Sequence, residues 1–267
     1  MNKAIGILGA AAGAYLLSTR GRTGQPGLEK FRGWAYAHRG LHGEGRPENS
    51  LAAFRAAVEG GYGAELDVHL LKDGSLAVIH DSKLLRTTGK EGRVEDLTAE
   101  ELAGYTLEGT EETIPLFSDV LKVFAGKTPL IVELKVENNC DALCSAVAEL
   151  LEGYEGDYCV ESFDPRAVAW FKKNRPRVIR GQLMENYYAT GSKLHPALKL
   201  ALTNHMANFL TGADFVACRY QDLGLYANAV ARGLWKMAGV TWTIRTQAEF
   251  DDAVSKGWIP IFEGFAP

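Results

Sequence analysis

A chain of 267 residues has room for one barrel-sized domain or two small ones. With 46% hydrophobic and 23% charged residues, it has the make-up of an ordinary globular protein. A net charge of −4 argues against nucleic acid as a partner, and four cysteines are too few for a disulfide scaffold.

The first element is an apolar run from Ala4 to Leu17, with no charge between Lys3 and Arg20. Sixteen residues separate those two charges. As a helix they span roughly 24 Å, short of the ~30 Å hydrocarbon core. A signal peptide has this form, and so does a short membrane anchor stretched by snorkelling Lys3 and Arg20. Leu16-Leu17-Ser18-Thr19-Arg20 offers a poor cleavage site, so an anchor is expected. Arg20, Arg22, Lys30 and Arg32 outweigh Lys3 and the terminal amine. The positive-inside rule then puts the rest of the chain in the cytoplasm, with a secreted protein as the alternative. Gly9 and Gly13 form a small-residue row, a weak signal by itself. Ser18 to Gly27 reads as a linker. The expected division is an anchor or signal segment with linker over 1–26, and a catalytic domain over 27–267.

Trp34 to Ala37 reads as a strand ending at His38-Arg39-Gly40. Ser50 is a good N-cap for a helix from Leu51 to about Glu59, stopped by Gly60-Gly61. Ala64 to Leu71 reads as a second strand, whose alternation puts Glu65 and Asp67 on one face. Asp73-Gly74 is a tight-hairpin signal. If those two residues are the turn, Asp67 lies opposite His80, and an imidazole sits beside two carboxylates. Residues 82–115 are a long irregular stretch, a length usually found only in functional loops.

Strands and helices then alternate. Helices are expected over Phe117–Phe124, Asp141–Leu151, Pro165–Lys173, Leu194–Asn208, Tyr226–Met237 and Gln247–Lys256. Strands are expected over Leu130–Leu134, Tyr158–Ser162, Val178–Leu183, Asp214–Cys218, Val240–Ile244 and Ile259–Phe262. Such alternation argues for a parallel α/β fold, and about 240 residues suit an irregular (β/α)₈ TIM barrel. Nine strand-like runs mean that one of them is not a stave.

The chemistry follows from the residue types. Two carboxylates on one strand face repel unless a cation lies between them, and a hard divalent ion such as Ca²⁺ or Mg²⁺ takes oxygen ligands. Two histidines suit an acid–base pair. An arginine beside one of them suits a phosphate. Phosphodiester cleavage uses all three parts.

Five ordered pieces fall within 44 residues: His38-Arg39-Gly40, Pro47-Glu48-Asn49-Ser50, Glu65-Leu66-Asp67-Val68, Lys72-Asp73-Gly74 and His80-Asp81. In this the chain resembles the glycerophosphodiester phosphodiesterases. The resemblance implies a TIM barrel with a small insertion capping its mouth after the second histidine. It implies release of an alcohol and sn-glycerol 3-phosphate from a glycerophosphodiester. His38 and His80 would be the acid–base pair, and Arg39 would hold phosphate. Glu133 and Lys135, two apart at a strand end, match the family's E-x-K. The glutamate would join Glu65 and Asp67 as the third metal ligand, and the lysine would face phosphate. Phe163 matches a family S-F and either walls the pocket or packs in the core. Trp242 matches a W-T-V and either lines the glycerol side or packs in the core.

Many members end on D-G-I-I-T-D-x-P, whereas this chain has Glu263 in Ile261-Phe262-Glu263-Gly264, so a role at that end stays open. His42, His69, His195 and His205 read as structural or solvated. Two other readings compete. One is a lysophospholipase D acting on membrane lysophospholipids, which the apolar N-terminus favours. The other is an inactive barrel that binds lipid or protein, which the full set of site residues disfavours.

Overall fold

The computed structural model describes residues 2–43 and 45–267, and for 2–5 the backbone alone. The terminal amine of Met1 and the Lys3 side chain, the basic flank expected before the apolar run, lie outside the described residues.

Alternating side chains give each strand two faces, and here both are covered. The strands are β1 (Tyr36–His38), β2 (Gly63–Leu70), β3 (Leu76–Val78), β4 (Leu130–Leu134), β5 (Tyr158–Ser162), β6 (Ile179–Met184), β7 (Phe215–Arg219), β8 (Ala238–Ile244) and β9 (Ile259–Phe262). Outward-facing Leu66, Val68, Val132, Leu134 and Val160 pack against helix residues such as Phe54, Phe117, Phe124, Val147 and Phe171. Inward-facing Tyr36, Ile131, Cys159, Leu183, Phe215, Val240 and Ile261 fill the interior, and Leu28 and Phe31 pack with them. Eight of the strands pair in parallel, and pairing of β1 with both β9 and β2 closes the ring. This is a TIM barrel. β3 is the ninth run and pairs antiparallel with β2 outside the ring.

The hairpin differs from expectation by one residue. Val68 pairs with Val78 and Leu70 with Leu76, which leaves Ile79, not His80, opposite Asp67. The cause is a three-residue loop, Lys72 to Gly74, closed by Leu71 N–H donating to the Ser75 carbonyl. Gly74, at φ 87°, takes the extra left-handed position. β3 ends at Val78, so His80 is released from the strand.

Residues 82–115 form a satellite core under the hairpin, with Leu84, Val94, Leu97, Leu102, Leu107 and Ile114 against Leu71, Ala77 and Ile79. The region expected as one helix from Leu194 is broken into Pro196–Thr203 and Asn208–Thr211. His205 sits at the break with φ 56°. The Tyr226–Met237 expectation resolves into Tyr226–Ala229 followed by a π turn, Val230–Leu234.

The N-terminal helix spans Asn2–Ser18. No helix among the described residues is long and apolar enough to cross a membrane. The stretch read as a linker is tied down at its start. The buried Thr19 accepts from Trp235 Nε1 at 3.0 Å and, through its carbonyl, from Asn208 Nδ2 at 3.1 Å. Gly21 is needed for close approach, since a Cβ there would lie 2.4 Å from the Ala213 carbonyl. Arg22 pairs bidentately with Asp214, both contacts at 2.6 Å.

Candidate active site

Inward positions change character along the strands. Ile131 is followed on the same face by Glu133, Cys159 by Glu161, Tyr36 by His38 and Ile261 by Glu263. The C-terminal layer of the barrel is therefore polar above an apolar floor, the arrangement in which TIM barrels build sites. Register fixes the neighbours. His38 pairs with Glu65, Asp67 with Glu133, and Glu133 with Glu161. The mouth opens into a cavity of about 1290 Å³. His38, Arg39, Glu65, His80, Glu133, Lys135, Phe163 and Trp242 all line it, and Asp67 lies just beneath. The site residues expected from the sequence are thus brought together.

Glu65, Asp67 and Glu133 each present an oxygen within 4.8 Å of the others. All three are buried, as is Glu161 beside them. Arg39 and Lys135 face this set. Lys135 Nζ lies 2.7 Å from Glu133 and 2.9 Å from Asp67, and Arg39 Nε is 3.6 Å from Asp67. Burial, with the nearby charges of Asp67 and Glu133, pushes the Glu65 carboxyl far above its usual range. Burial likewise raises Glu133, despite Lys135, and raises Glu161 strongly. Asp67 goes the other way, because Lys135, His80 and Arg39 outweigh its burial. Two cations are too few to keep four buried carboxyls ionised, so three of the four are pushed towards the neutral acid. The donor set, all oxygen and acidic, fits a hard divalent ion.

Each histidine carries a carboxylate on the same ring nitrogen. His38 Nδ1 lies 2.5 Å from Glu263 Oε2, and His80 Nδ1 lies 2.6 Å from Asp81 Oδ1. These partners set the tautomer that leaves Nε2 free to react. His38 Nε2 lies 3.9 Å from Glu65, at the carboxylate cluster. Burial lowers the His38 ring against the pull of Glu263. Burial also lowers His80 to about 4, with Lys135 and Arg39 adding and Asp67 opposing. Glu263 is held down to about 2 by the His38 hydrogen bond and by Arg245. Burial thus wins at the His38 ring and pairing wins at the carboxylate, so a neutral imidazole donates to an ionised Glu263.

Several contributors were not legible as site residues. Glu263 reaches His38 only because β9 closes onto β1. Glu48 accepts from Arg39 Nη1 at 3.0 and 3.1 Å and from Arg86, which also pairs with Asp81. Asn49 Nδ2 donates to Asp67 at 2.8 Å. These residues stood in the P-E-N-S piece, but spacing gave no partner for them. Glu161 adjoins Ser162-Phe163 in the sequence with nothing to mark it out. Phe163 and Trp242 meet edge to face, ring centroids 5.7 Å apart, on the cavity wall. Of the other histidines, His69 is buried between Glu95 and the His80 carbonyl, joining hairpin to insertion. His205 bonds Asn228 in the interior, and His195 caps the helix Pro196–Thr203. His42 comes within 4.0 Å of Glu263.

The model of the glycerophosphoryl diester phosphodiesterase family matches residues 38–262. The chain belongs to this family of phosphoric diester hydrolases. It is 32% identical to the Bacillus subtilis (strain 168) protein YhdW over 225 residues, 79% of this chain and 86% of that protein. A glycerophosphodiester phosphodiesterase of Bacillus altitudinis is 37% identical over 155 residues, which cover 54% of this chain and 63% of the relative. Lysophospholipase D GDPD1 of Rattus norvegicus is 36% identical over 143 residues, 49% of this chain and 44% of the relative. The chain therefore matches under two thirds of the length of these last two. The fold is also that of an Oleispira antarctica phosphodiesterase solved with the product sn-glycerol-3-phosphate. That likeness has a TM-score of 0.74 and 22% identity, over 91% of this chain and 95% of the other.

Proposed function

We propose that this protein hydrolyses glycerophosphodiesters to an alcohol and sn-glycerol 3-phosphate, with one divalent cation, Ca²⁺ or Mg²⁺, held by Glu65, Asp67 and Glu133. The observation that carries the reading is one cavity holding two carboxylate-backed histidines, three clustered carboxylates, Arg39 and Lys135. When bound, such an ion offsets charge on the phosphate oxygens. Arg39 and Lys135 are placed to orient the phosphate and to stabilise the charge that builds on it. His38, its Nδ1–H given to Glu263, offers Nε2 as base or nucleophile. His80, its Nδ1–H given to Asp81, takes up a proton at Nε2 as the anionic phosphate and the carboxylates beside it favour the charged ring, and then passes that proton to the leaving alcohol. Phe163 and Trp242 hold the organic part of the substrate.

A second reading, a lysophospholipase D, draws on one feature. Leu183, Leu194, Leu198 and Leu202 give the cavity an apolar side able to take an acyl chain. The test is release of sn-glycerol 3-phosphate from glycerophosphocholine, and of choline from lysophosphatidylcholine, with and without EDTA. Glycerophosphocholine should be cleaved in a cation-dependent way. Full activity in EDTA, or cleavage of neither compound with either ion, would contradict the proposal.

A further inference from the structure

We propose that His69 and Glu95 are positioning residues for His80, a buried pair that joins the insertion to the barrel and fixes the backbone from which His80 reaches the phosphate. The inference rests on the acid role given to His80 above, and it adds what holds that acid in place.

The need for such a hold follows from the hairpin. Ile79 N–H donates to the Asp67 carbonyl at 3.1 Å, where the ladder between β2 and β3 ends. No backbone–backbone hydrogen bond among the described residues involves His80 or Asp81. The next such bond joins Val94 N–H to the Ser82 carbonyl at 2.9 Å. The His80 side chain is 32% exposed, so packing covers it only in part. Its bond to Asp81 fixes the ring relative to the next residue, not relative to the barrel. Arg86 does tie Asp81 to Glu48, but it is half-exposed, and exposed ion pairs hold weakly.

His69 supplies the missing hold. Alternation along β2 carries it on the face of Glu65 and Asp67, one pleat beyond them. Its Nε2–H donates to the His80 carbonyl at 3.2 Å, and its Nδ1 lies 2.8 Å from Glu95 Oε1. With an acceptor at each nitrogen, the ring has no second orientation that keeps both bonds. Glu95 accepts from the Ser82 hydroxyl at 2.7 Å through its other oxygen. One carboxylate thus grips the chain on both sides of Asp81, through His69 before it and Ser82 after it. Both members of the pair are buried. Burial would raise the Glu95 carboxyl, but the bonds from His69 and Ser82 hold it below its ordinary value. The neighbouring Val94 is set in the satellite core, so the insertion as a whole is coupled to the acid. An acid must lie within hydrogen-bond reach of the oxygen that it protonates, and a misplacement of about 1 Å can cost around 100-fold in rate.

The test compares two esters of sn-glycerol 3-phosphate, glycerophosphocholine and the p-nitrophenyl ester, whose nitrophenolate leaves without a proton. His69→Leu removes both ring bonds and leaves Glu95 with Ser82 and Arg93, so no charge is stranded. On glycerophosphocholine its kcat should fall roughly 10- to 100-fold with KM little changed, and on the p-nitrophenyl ester by less than about three-fold. His69→Gln, whose amide can still donate to the His80 carbonyl, should recover most of the loss. If His69→Leu does not fold, Glu95→Gln decides, with the same selective loss expected at smaller size. His205→Leu removes an equally buried histidine, bonded to Asn228, and should affect the two esters alike. Equal loss on both esters by a folded His69→Leu, or no loss on either, would overturn the inference while leaving the proposed reaction in place. Equal loss on both esters by His80→Ala would instead contradict the acid role itself, and this inference with it.

Discussion

At the residue scale the site is held by carboxylates that touch the histidines from behind. Glu263 is the clearest case, because its short contact with His38 Nδ1 fixes which nitrogen faces the reacting atoms. Glu263→Gln keeps the size and loses the charge. We expect kcat to fall roughly 10- to 100-fold with KM little changed, a loss within the typical range for a positioned acid–base group. Steady-state kinetics on glycerophosphocholine checks this, and an equal rise in KM with kcat intact would place Glu263 in substrate binding instead. The carboxylate pair on β2 was legible from alternation alone, whereas this partner was not. Glu263 lies 225 positions from His38, and only barrel closure joins them. A second residue prediction concerns pH. Burial holds His205 down to about 4, against a usual 6.5, with only Asn228 opposing. The unfolded chain takes up this proton near pH 6.5 and the folded chain only near 4. Stability is therefore complete above 6.5 and declines as pH falls, by up to about 3 kcal/mol at pH 4. Urea unfolding at pH 7 and pH 4 should show a larger acid loss in the wild type than in His205→Gln.

At the element scale, short apolar runs bounded by turn residues gave their own limits. The strands Leu130–Leu134, Tyr158–Ser162 and Ile259–Phe262 and the helix Phe117–Phe124 match the expected ranges. The hairpin was legible but its register was not. Asp-Gly fits a two-residue and a three-residue loop equally, and the choice moves His80 by one place. The helix after Leu194 reads too long in the sequence because its apolar spacing continues through Met206, while His205 takes a left-handed conformation. Two glycines separate conformational from steric cost. Gly74 has φ 87°, and a Cβ there would meet nothing within 4 Å, so Gly74→Ala should cost about 1 kcal/mol. Gly40, in the H-R-G piece, has φ 80°, and a Cβ would lie 2.9 Å from the Ala53 backbone. Gly40→Ala should therefore melt several degrees below Gly74→Ala in calorimetry. Equal melting temperatures would mean that the Leu51–Glu59 helix yields without cost.

At the scale of the whole molecule, the alternation of strands and helices identified the barrel, and nine runs correctly left one outside the ring. Two features needed the structure. The insertion has its own small core, built from leucines too scattered to show a period. The stretch rich in glycine after Ser18 looks like a free linker, yet Thr19, Gly21 and Arg22 fix it to the foot of the barrel. Within that frame the central claim is that the buried acidic cluster exists to hold a divalent cation. Four carboxylates beside only two cations are unfavourable without one. The most direct measurement is calorimetric titration of the metal-stripped full-length protein with Ca²⁺ and with Mg²⁺. The account predicts one ion bound per chain for at least one of the two, with binding lost in Asp67→Asn. Absence of binding by the folded wild type, or equal binding by wild type and Asp67→Asn, would contradict it.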